Sequence, residues 1–364
     1  MITEAELKNI ASHFSIEGRI ESIEPLGAGF INDTFRIRTA GDASDYILQR
    51  KNRQIFPDVP SMMDNIVAVT GHIRSKVEAA GGDVRREVLT VVTTPDGKAW
   101  VRDERGEYWT VCLFIDGSVT YDRADTPALA YKGGEGIGLF QSQLSDFTRP
   151  LAETIKGFHN IRFRFGQWDE AVARDAAGRC KEIAREMEWI ASRRDEMLGF
   201  WSKVEDGTIP MRVTHNDTKI SNILFDEKGD VLCVIDLDTV MSSTSLNDFG
   251  DAIRTFANTG AEDDRNLKNV SLDMNMFRAY TEGYISKRRS TLAPSEREWL
   301  AFGARYIVYE QVLRFLMDYI DGDTYYKIAS PDHNLVRTRA QYALLESIEN
   351  HYDEMCEIVG NLTR

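Results

Sequence analysis

Thr214-His215-Asn216-Asp217-Thr218-Lys219-Ile220-Ser221-Asn222, followed across a short turn by Val231-Leu232-Cys233-Val234-Ile235-Asp236, sets an acid, a lysine, an amide and a second acid in a fixed order. Phosphoryl transfer uses such a set. Its transition state needs little covalent help, so a protein contributes mainly by positioning the partners and neutralising charge on the transferred oxygens. Asp217 is placed to accept the proton of an attacking hydroxyl, with Lys219 two residues on. Asn222 and Asp236 offer the oxygen ligands that Mg2+ would need, Asp236 arriving at the end of an apolar strand.

The spacing matches H-R-D-x-x-x-x-N, with His215, Asp217 and Asn222 in its three places and Lys219 where many protein kinases carry a lysine. His-x-Asp alone is common, and an Asp ending a buried strand is often only a turn former. The joint match carries the reading. His215 is expected to pack and hold the backbone of the loop rather than to do chemistry.

With 364 residues the chain can bury a large core and fold as two lobes. Its 44 Lys and Arg against 58 Asp and Glu give a formal charge of −14 with no basic cluster. Nucleic acid and anionic membranes, which need a positive face, are therefore not expected as partners. Cys112, Cys180, Cys233 and Cys356 lie far apart without C-x-x-C pairing and read as reduced thiols. Glu4 and Glu6 stand where a signal peptide would be basic and then apolar, and no apolar run reaches membrane-spanning length, so a cytoplasmic protein is expected. Nothing in the pattern speaks to oligomeric state.

Thr3 and Glu6 form a capping box for a helix from Glu4 to about Phe14. Strands are predicted over 19–25, 34–39 and 46–50, a helix over 61–80, a strand pair at 89–93 and 99–102 turning at Pro95-Asp96-Gly97, and a further strand over 108–115. Beyond Gly117 the pattern turns helical: 126–147 with Thr126-Pro127 at its start, 168–204 with Gly178 as its weak point, 272–284, 294–320 and 335–359, with 148–167 as a linker. The expected architecture is α+β and two-lobed, like a protein kinase. Residues 1–116 would form a small antiparallel β-sheet lobe that binds nucleotide, and residues 117–364 a larger helical lobe that binds the substrate.

Three further constellations fit this layout. Gly27-Ala28-Gly29 and the following Asn32 lie between the first two strands, where a glycine loop covers the phosphates of ATP with backbone N–H groups, although any tight hairpin uses glycine in this way. Phe114 and Ile115 end the last strand of the first lobe, where backbone groups between apolar walls would receive adenine. Glu310, Arg314 and Asp318 share one helix face and run into Tyr325 and Tyr326, either as a solvated salt-bridge face or as a neutral polyol or sugar site. Asp248-Phe249-Gly250-Asp251 comes too late for the metal. Asp251 is expected either to hydrogen-bond the acid loop or to serve as a plain helix N-terminal acid.

These residues, with Tyr46-Ile47-Leu48-Gln49, Ile55-Phe56-Pro57-Asp58, Phe277-Arg278-Ala279-Tyr280 and His333-Asn334-Leu335-Val336-Arg337, make the chain resemble the aminoglycoside phosphotransferase and choline kinase family along nearly its whole length. The resemblance is strongest to the N-acetylhexosamine 1-kinases within that family. It implies transfer of the γ-phosphoryl of ATP, with Mg2+, to the anomeric hydroxyl of an N-acetylated amino sugar. It also implies Asp217 as base, Asn222 and Asp236 as metal ligands, and Arg314 with Tyr325 among the sugar contacts. Two departures stand out. Gln49 occupies the place of the phosphate lysine of protein kinases, and Phe30 that of a histidine common in these relatives. Other acceptors of the same fold, such as choline, an aminoglycoside or homoserine, stay open, as does an inactive nucleotide-binding regulator.

Overall fold

Thr3 begins the first helix through the predicted reciprocal cap: its hydroxyl accepts from the Glu6 N–H, and the Glu6 carboxylate accepts from the Thr3 N–H at 2.7 Å. The structure, a computed structural model, describes residues 2–27 and 31–364. In chain order its elements are α1 (Glu4–Ala11), β1 (Ile20–Pro25), β2 (Asp33–Thr39), β3 (Tyr46–Lys51), α2 (Val59–Ala79), β4 (Val91–Val92), β5 (Val101–Arg102) and β6 (Tyr108–Leu113). Then follow α3 (Pro127–Gln143), α4 (Ile161–Arg174), α5 (Ala184–Ala191), α6 (Arg194–Glu205), β7 (Arg212–Thr214), β8 (Ile223–Phe225), β9 (Val231–Val234) and β10 (Met241–Ser243). The chain closes with α7 (Ser245–Phe256), α8 (Met274–Arg288), α9 (Pro294–Ile320), α10 (His333–Asn350) and α11 (Tyr352–Thr363).

Two compact units result. The first comprises Met1–Thr120, Asp146–Lys156 and Asn222–Ser242, and the second comprises Tyr121–Ser145, Gly157–Ser221 and Ser243–Arg364. Two later segments thus join the first unit, which a single cut after residue 116 does not provide for. The physical reason is pairing: Val119 and Phe225 exchange both backbone hydrogen bonds, at 2.8 and 2.9 Å, and so tie the β8–β9 hairpin to the segment after β6.

In the first unit the antiparallel sheet runs β1-β2-β3-β6-β4, with β5 also on β6. Leu48 on β3 lies opposite Phe35 on β2 and Val111 on β6. Because side chains alternate along a strand, Tyr46 and Leu48 on β3 and Trp109 and Val111 on β6 share one face, which packs on Leu7 and Ile10 of α1. Residues 47, 49 and 51 face the other way. The turn predicted at 95–97 forms, closed by the Thr94 N–H on the Lys98 carbonyl at 2.8 Å. The strands around it nevertheless pair separately with β6, at Val91–Cys112 and Val101–Trp109, rather than with each other.

The second unit is helical. α9 spans the predicted residues, whereas the long helix expected over 168–204 is three. α4 begins earlier, at Ile161, because the Asn160 side chain accepts from the Phe163 N–H at 3.1 Å, and it ends where Asp175 turns left-handed at φ 40°. The helix expected over 335–359 breaks at His351, whose ring bonds the Ser347 carbonyl at 2.8 Å. α3 and α8 approach closely at glycines. A Cβ on Gly283 would stand 2.0 Å from the Tyr131 carbonyl oxygen, and one on Gly134 would stand 2.1 Å from that of Tyr280. Gly283→Ala is therefore expected to force the helices apart and destabilise the fold by about 1–3 kcal/mol, read as a lower urea midpoint at unchanged slope.

Candidate functional site

The outward-facing residues of β3 open onto a cavity of about 520 Å3 in the first unit. Ile47, Gln49 and Lys51 form one wall, with Thr110 and Cys112 of β6 beside them and Met63 and Ile66 of α2 opposite. Gly27, Phe114 and Ile115, predicted to receive nucleotide, line it as well. Gly27 has φ 67°, a conformation that favours glycine. Phe114 lies flat under Arg36, whose guanidinium carbon is 3.8 Å from the ring centroid. Asn32 is not among the lining residues; it is buried behind them, and its amide donates to Asp238 at 2.7 Å. Gly29 and Phe30 lie outside the described residues. Burial raises the Cys112 thiol to about 11, so it stays protonated near neutrality.

Asn222 and Asp236 also line this cavity. They are fourteen residues apart in the chain, but the β8–β9 register pairs Ile223 with Val234, so the flanking residues are brought alongside. The Ile235 N–H donates to the Asn222 carbonyl at 2.8 Å and locks that placement. Asp236 has φ 60°, uncommon outside glycine and concentrated at functional sites. The described residues form no group of three or more His, Cys, Asp or Glu suited to a metal. One carboxylate and one amide oxygen, with remaining positions left to phosphate and water, suit Mg2+, which dehydrates reluctantly and prefers hard oxygen donors.

The acid loop belongs to the second unit. It follows β7 and is pinned from α7, a helix that the sequence reading did not assign. Asp248, fully buried, accepts the N–H groups of His215 at 2.9 Å and Asn216 at 2.8 Å, and the Gln141 amide at 2.7 Å. Burial raises its carboxyl against the opposing pull of His215 and these donors. Asp251 accepts the Thr218 N–H at 2.8 Å and is paired with Arg254 at 2.9 Å; burial pushes its carboxyl up, but Arg254 outweighs that and holds it low. Of the two readings of Asp251, the hydrogen bond to the acid loop is the one observed. His215 is completely buried, its ring edge-on to Phe140, and its Nδ1 accepts the Asp217 N–H at 3.2 Å. Lys219 meets the Asp217 carboxylate at 2.8 Å, and both side chains are partly exposed.

Asp248→Asn keeps the size of the side chain but replaces one acceptor oxygen by a donor facing backbone N–H groups. It should lower kcat by roughly 10- to 100-fold, with the KM for nucleotide nearly unchanged, in a steady-state assay.

A smaller cavity of about 210 Å3, also in the second unit, brings Arg314 and Tyr325 together with Arg164, Asp318 and Tyr326. The solvated reading of the Glu310, Arg314 and Asp318 face does not hold, since these residues are only 1%, 7% and 4% exposed. Asp318 is a scaffold: its carboxylate accepts the N–H groups of Thr324, Tyr325 and Tyr326 at 2.8–3.0 Å and so shapes the turn that presents the tyrosines. The Arg314 guanidinium lies among the rings of Phe158, Tyr325 and Tyr326, 5.1 to 6.0 Å from their centroids. Burial alone would raise the Glu310 carboxyl, but His159, Arg314 and Arg164 outweigh it and hold it low. His159, which the sequence did not single out, bridges Glu310 at 2.7 Å and the Asn216 carbonyl at 3.4 Å. It thereby connects α9 to the acid loop.

The α+β architecture is a kinase-like fold. The profile of the phosphotransferase enzyme family matches residues 22–284, and the chain belongs to that family. Among solved structures it is similar to an aminoglycoside phosphotransferase from Alicyclobacillus acidocaldarius, with TM-score 0.59, 13% identity, and coverage of 99% of this chain and 97% of the other. It is also similar to a spectinomycin phosphotransferase in complex with ADP and spectinomycin, with TM-score 0.55, 13% identity and 99% and 98% coverage. A Plasmodium vivax ethanolamine kinase matches with TM-score 0.54, 11% identity and 88% and 82% coverage. At these identities the structural likeness speaks to the fold. No helix among the described residues is long and apolar enough to cross a membrane.

Proposed function

We propose that this phosphotransferase is an ATP- and Mg2+-dependent small-molecule kinase whose acceptor is the anomeric hydroxyl of an N-acetylhexosamine, giving a sugar 1-phosphate. The observation that carries the acceptor reading is the small cavity, in which buried arginine and exposed tyrosine combine donors with aromatic faces, as neutral sugars need. Arg164 and Arg314 share its wall with Asp318 and Asp321, a balance of charge that suits a neutral acceptor better than a cation such as choline or an aminoglycoside.

Each residue then has a role. Asp217 takes the proton of the attacking hydroxyl, and Lys219 holds that carboxylate in place. Asn222 and Asp236 would hold the metal, and Phe114 and Ile115 would receive the base between apolar walls. Bound Mg-ATP supplies the transferred phosphoryl group and the neutralisation of its charge. Arg314 and Tyr325 orient the sugar. The spectinomycin phosphotransferase whose structure contains ADP is consistent with the nucleotide assignment.

The test is a coupled ADP-release screen over N-acetylhexosamines, plain hexoses, choline and aminoglycosides. Turnover is expected with N-acetylglucosamine or N-acetylgalactosamine, and the product should return free sugar in mild acid. Turnover confined to choline or an aminoglycoside would replace the acceptor assignment, and no turnover on any acceptor would sink the kinase reading.

A further inference from the structure

Gln49 faces the large cavity from the place where protein kinases carry a phosphate-binding lysine, and a neutral amide cannot neutralise phosphate charge. The alternation of β3 brings a second residue to the same wall. Lys51 is 3% exposed, and it is the one lysine or arginine among the described residues lining this cavity. A lysine is almost never buried so fully without a reason in its surroundings. Its ammonium group donates to both Asp238 oxygens, at 2.7 and 2.9 Å, and to Gln49 Oε1 at 2.7 Å.

Asp238 is equally committed. Beyond the two contacts to Lys51 it accepts the Asn32 amide at 2.7 Å, and Asn32 is itself fixed by the Asn52 N–H at 3.1 Å. α2 offers the cavity Met63 and Ile66 and no acid, so the counter-ion of the lysine comes from the turn after Asp236 instead of from the helix.

We propose that Lys51 is the cation that contacts the α- and β-phosphates of the bound nucleotide, and that Asp238, steadied by Asn32, is the residue that positions it. The proposal rests on the reading of this cavity as the nucleotide site. Of the three contacts of the ammonium group, the one to the neutral Gln49 amide is the least costly to exchange for a phosphate oxygen, and the Asp238 pair can persist. Gln49 keeps a partner of its own, since its amide donates to the Thr34 hydroxyl at 3.2 Å.

Calorimetric titration of the full chain with MgADP and, separately, with adenosine tests this. Lys51→Met should weaken MgADP by roughly 10- to 100-fold and adenosine by less than about twofold. Because that variant strands a buried carboxylate, Lys51→Gln/Asp238→Asn, in which no charge is left unpaired, is measured beside it and should show the same selective loss. Lys51→Arg should recover part of the MgADP affinity. A merely structural ion pair would lower the melting temperature and leave the ratio of MgADP to adenosine affinity where it was. Such a result in the neutral double variant overturns the proposal while the nucleotide site stands. Wild-type protein that binds neither ligand overturns the site and the proposal together.

Discussion

Asp217→Asn should leave the protein folded and reduce kcat by about 10²- to 10⁴-fold, the range over which a positioned base contributes. Asparagine has nearly the same shape but cannot accept the proton of the acceptor hydroxyl. The backbone of the loop is held through Asp248 and Asp251, which bond the N–H groups of residues 215, 216 and 218, while the Asp217 carboxylate meets Lys219. The substitution therefore removes chemistry and keeps geometry. KM for nucleotide and acceptor should stay within a few fold, since a group that acts only as the proton moves contributes to the transition state and not to ground-state binding. Steady-state ADP release beside a thermal melt reads both, and a variant retaining a third of wild-type kcat would remove Asp217 from the role of base.

Glu296→Ala should produce the largest loss of stability, about 3–5 kcal/mol, because it strands the wholly buried Arg288 and removes the partner of the partly buried Arg212. The Glu296 side chain is wholly buried and accepts from Arg212 at 2.8 and 3.1 Å, Arg288 at 3.1 Å, Ser245 at 2.5 Å and the Ala293 N–H at 2.7 Å. Arg288 is itself 0% exposed. Burial pushes the Glu296 carboxyl up, but its arginines and the other donors outweigh this and hold it below the ordinary 4.5. A carboxyl depressed in the folded state adds stability that is fully present above its unfolded value and disappears as pH falls through the lower folded value. Urea midpoints should thus differ strongly between wild type and variant at pH 7 and converge as the pH is taken below 4. A gap that stays constant on acidification would mean that packing and not charge dominates the site.

The acid loop was legible because its residues are contiguous and its chemistry fixes their types. α9 was legible for another reason, a long apolar periodicity opened by Pro294. α7 was not, although Leu246, Phe249, Ile253 and Phe256 recur at steps of three and four: Asp248, Asp251 and Arg254 on its polar side are buried as well instead of facing solvent, which an apolar stripe does not announce. Ile161–Arg164, aromatic and basic, looked like linker until the Asn160 cap showed where α4 starts. Lys51 escaped because lysine is read as a surface residue; the usable signal was its parity with Gln49 on a strand whose other face is core. The entry of the β8–β9 hairpin into the first unit depends on a backbone bridge between Val119 and Phe225, which no side-chain pattern encodes.

The hairpin has a practical corollary for anyone inserting a reporter into the chain. Its tip, Asp226 to Asp230, closes on itself through the Asp226 N–H on the Asp230 carbonyl, and Glu227 and Lys228 are exposed. A peptide tag or dye site spliced between Glu227 and Lys228 lengthens a surface turn and leaves the β8–β9 register intact. A single residue added inside either strand would instead rotate everything beyond it by half a turn, sending Asp236 to the opposite face from Asn222.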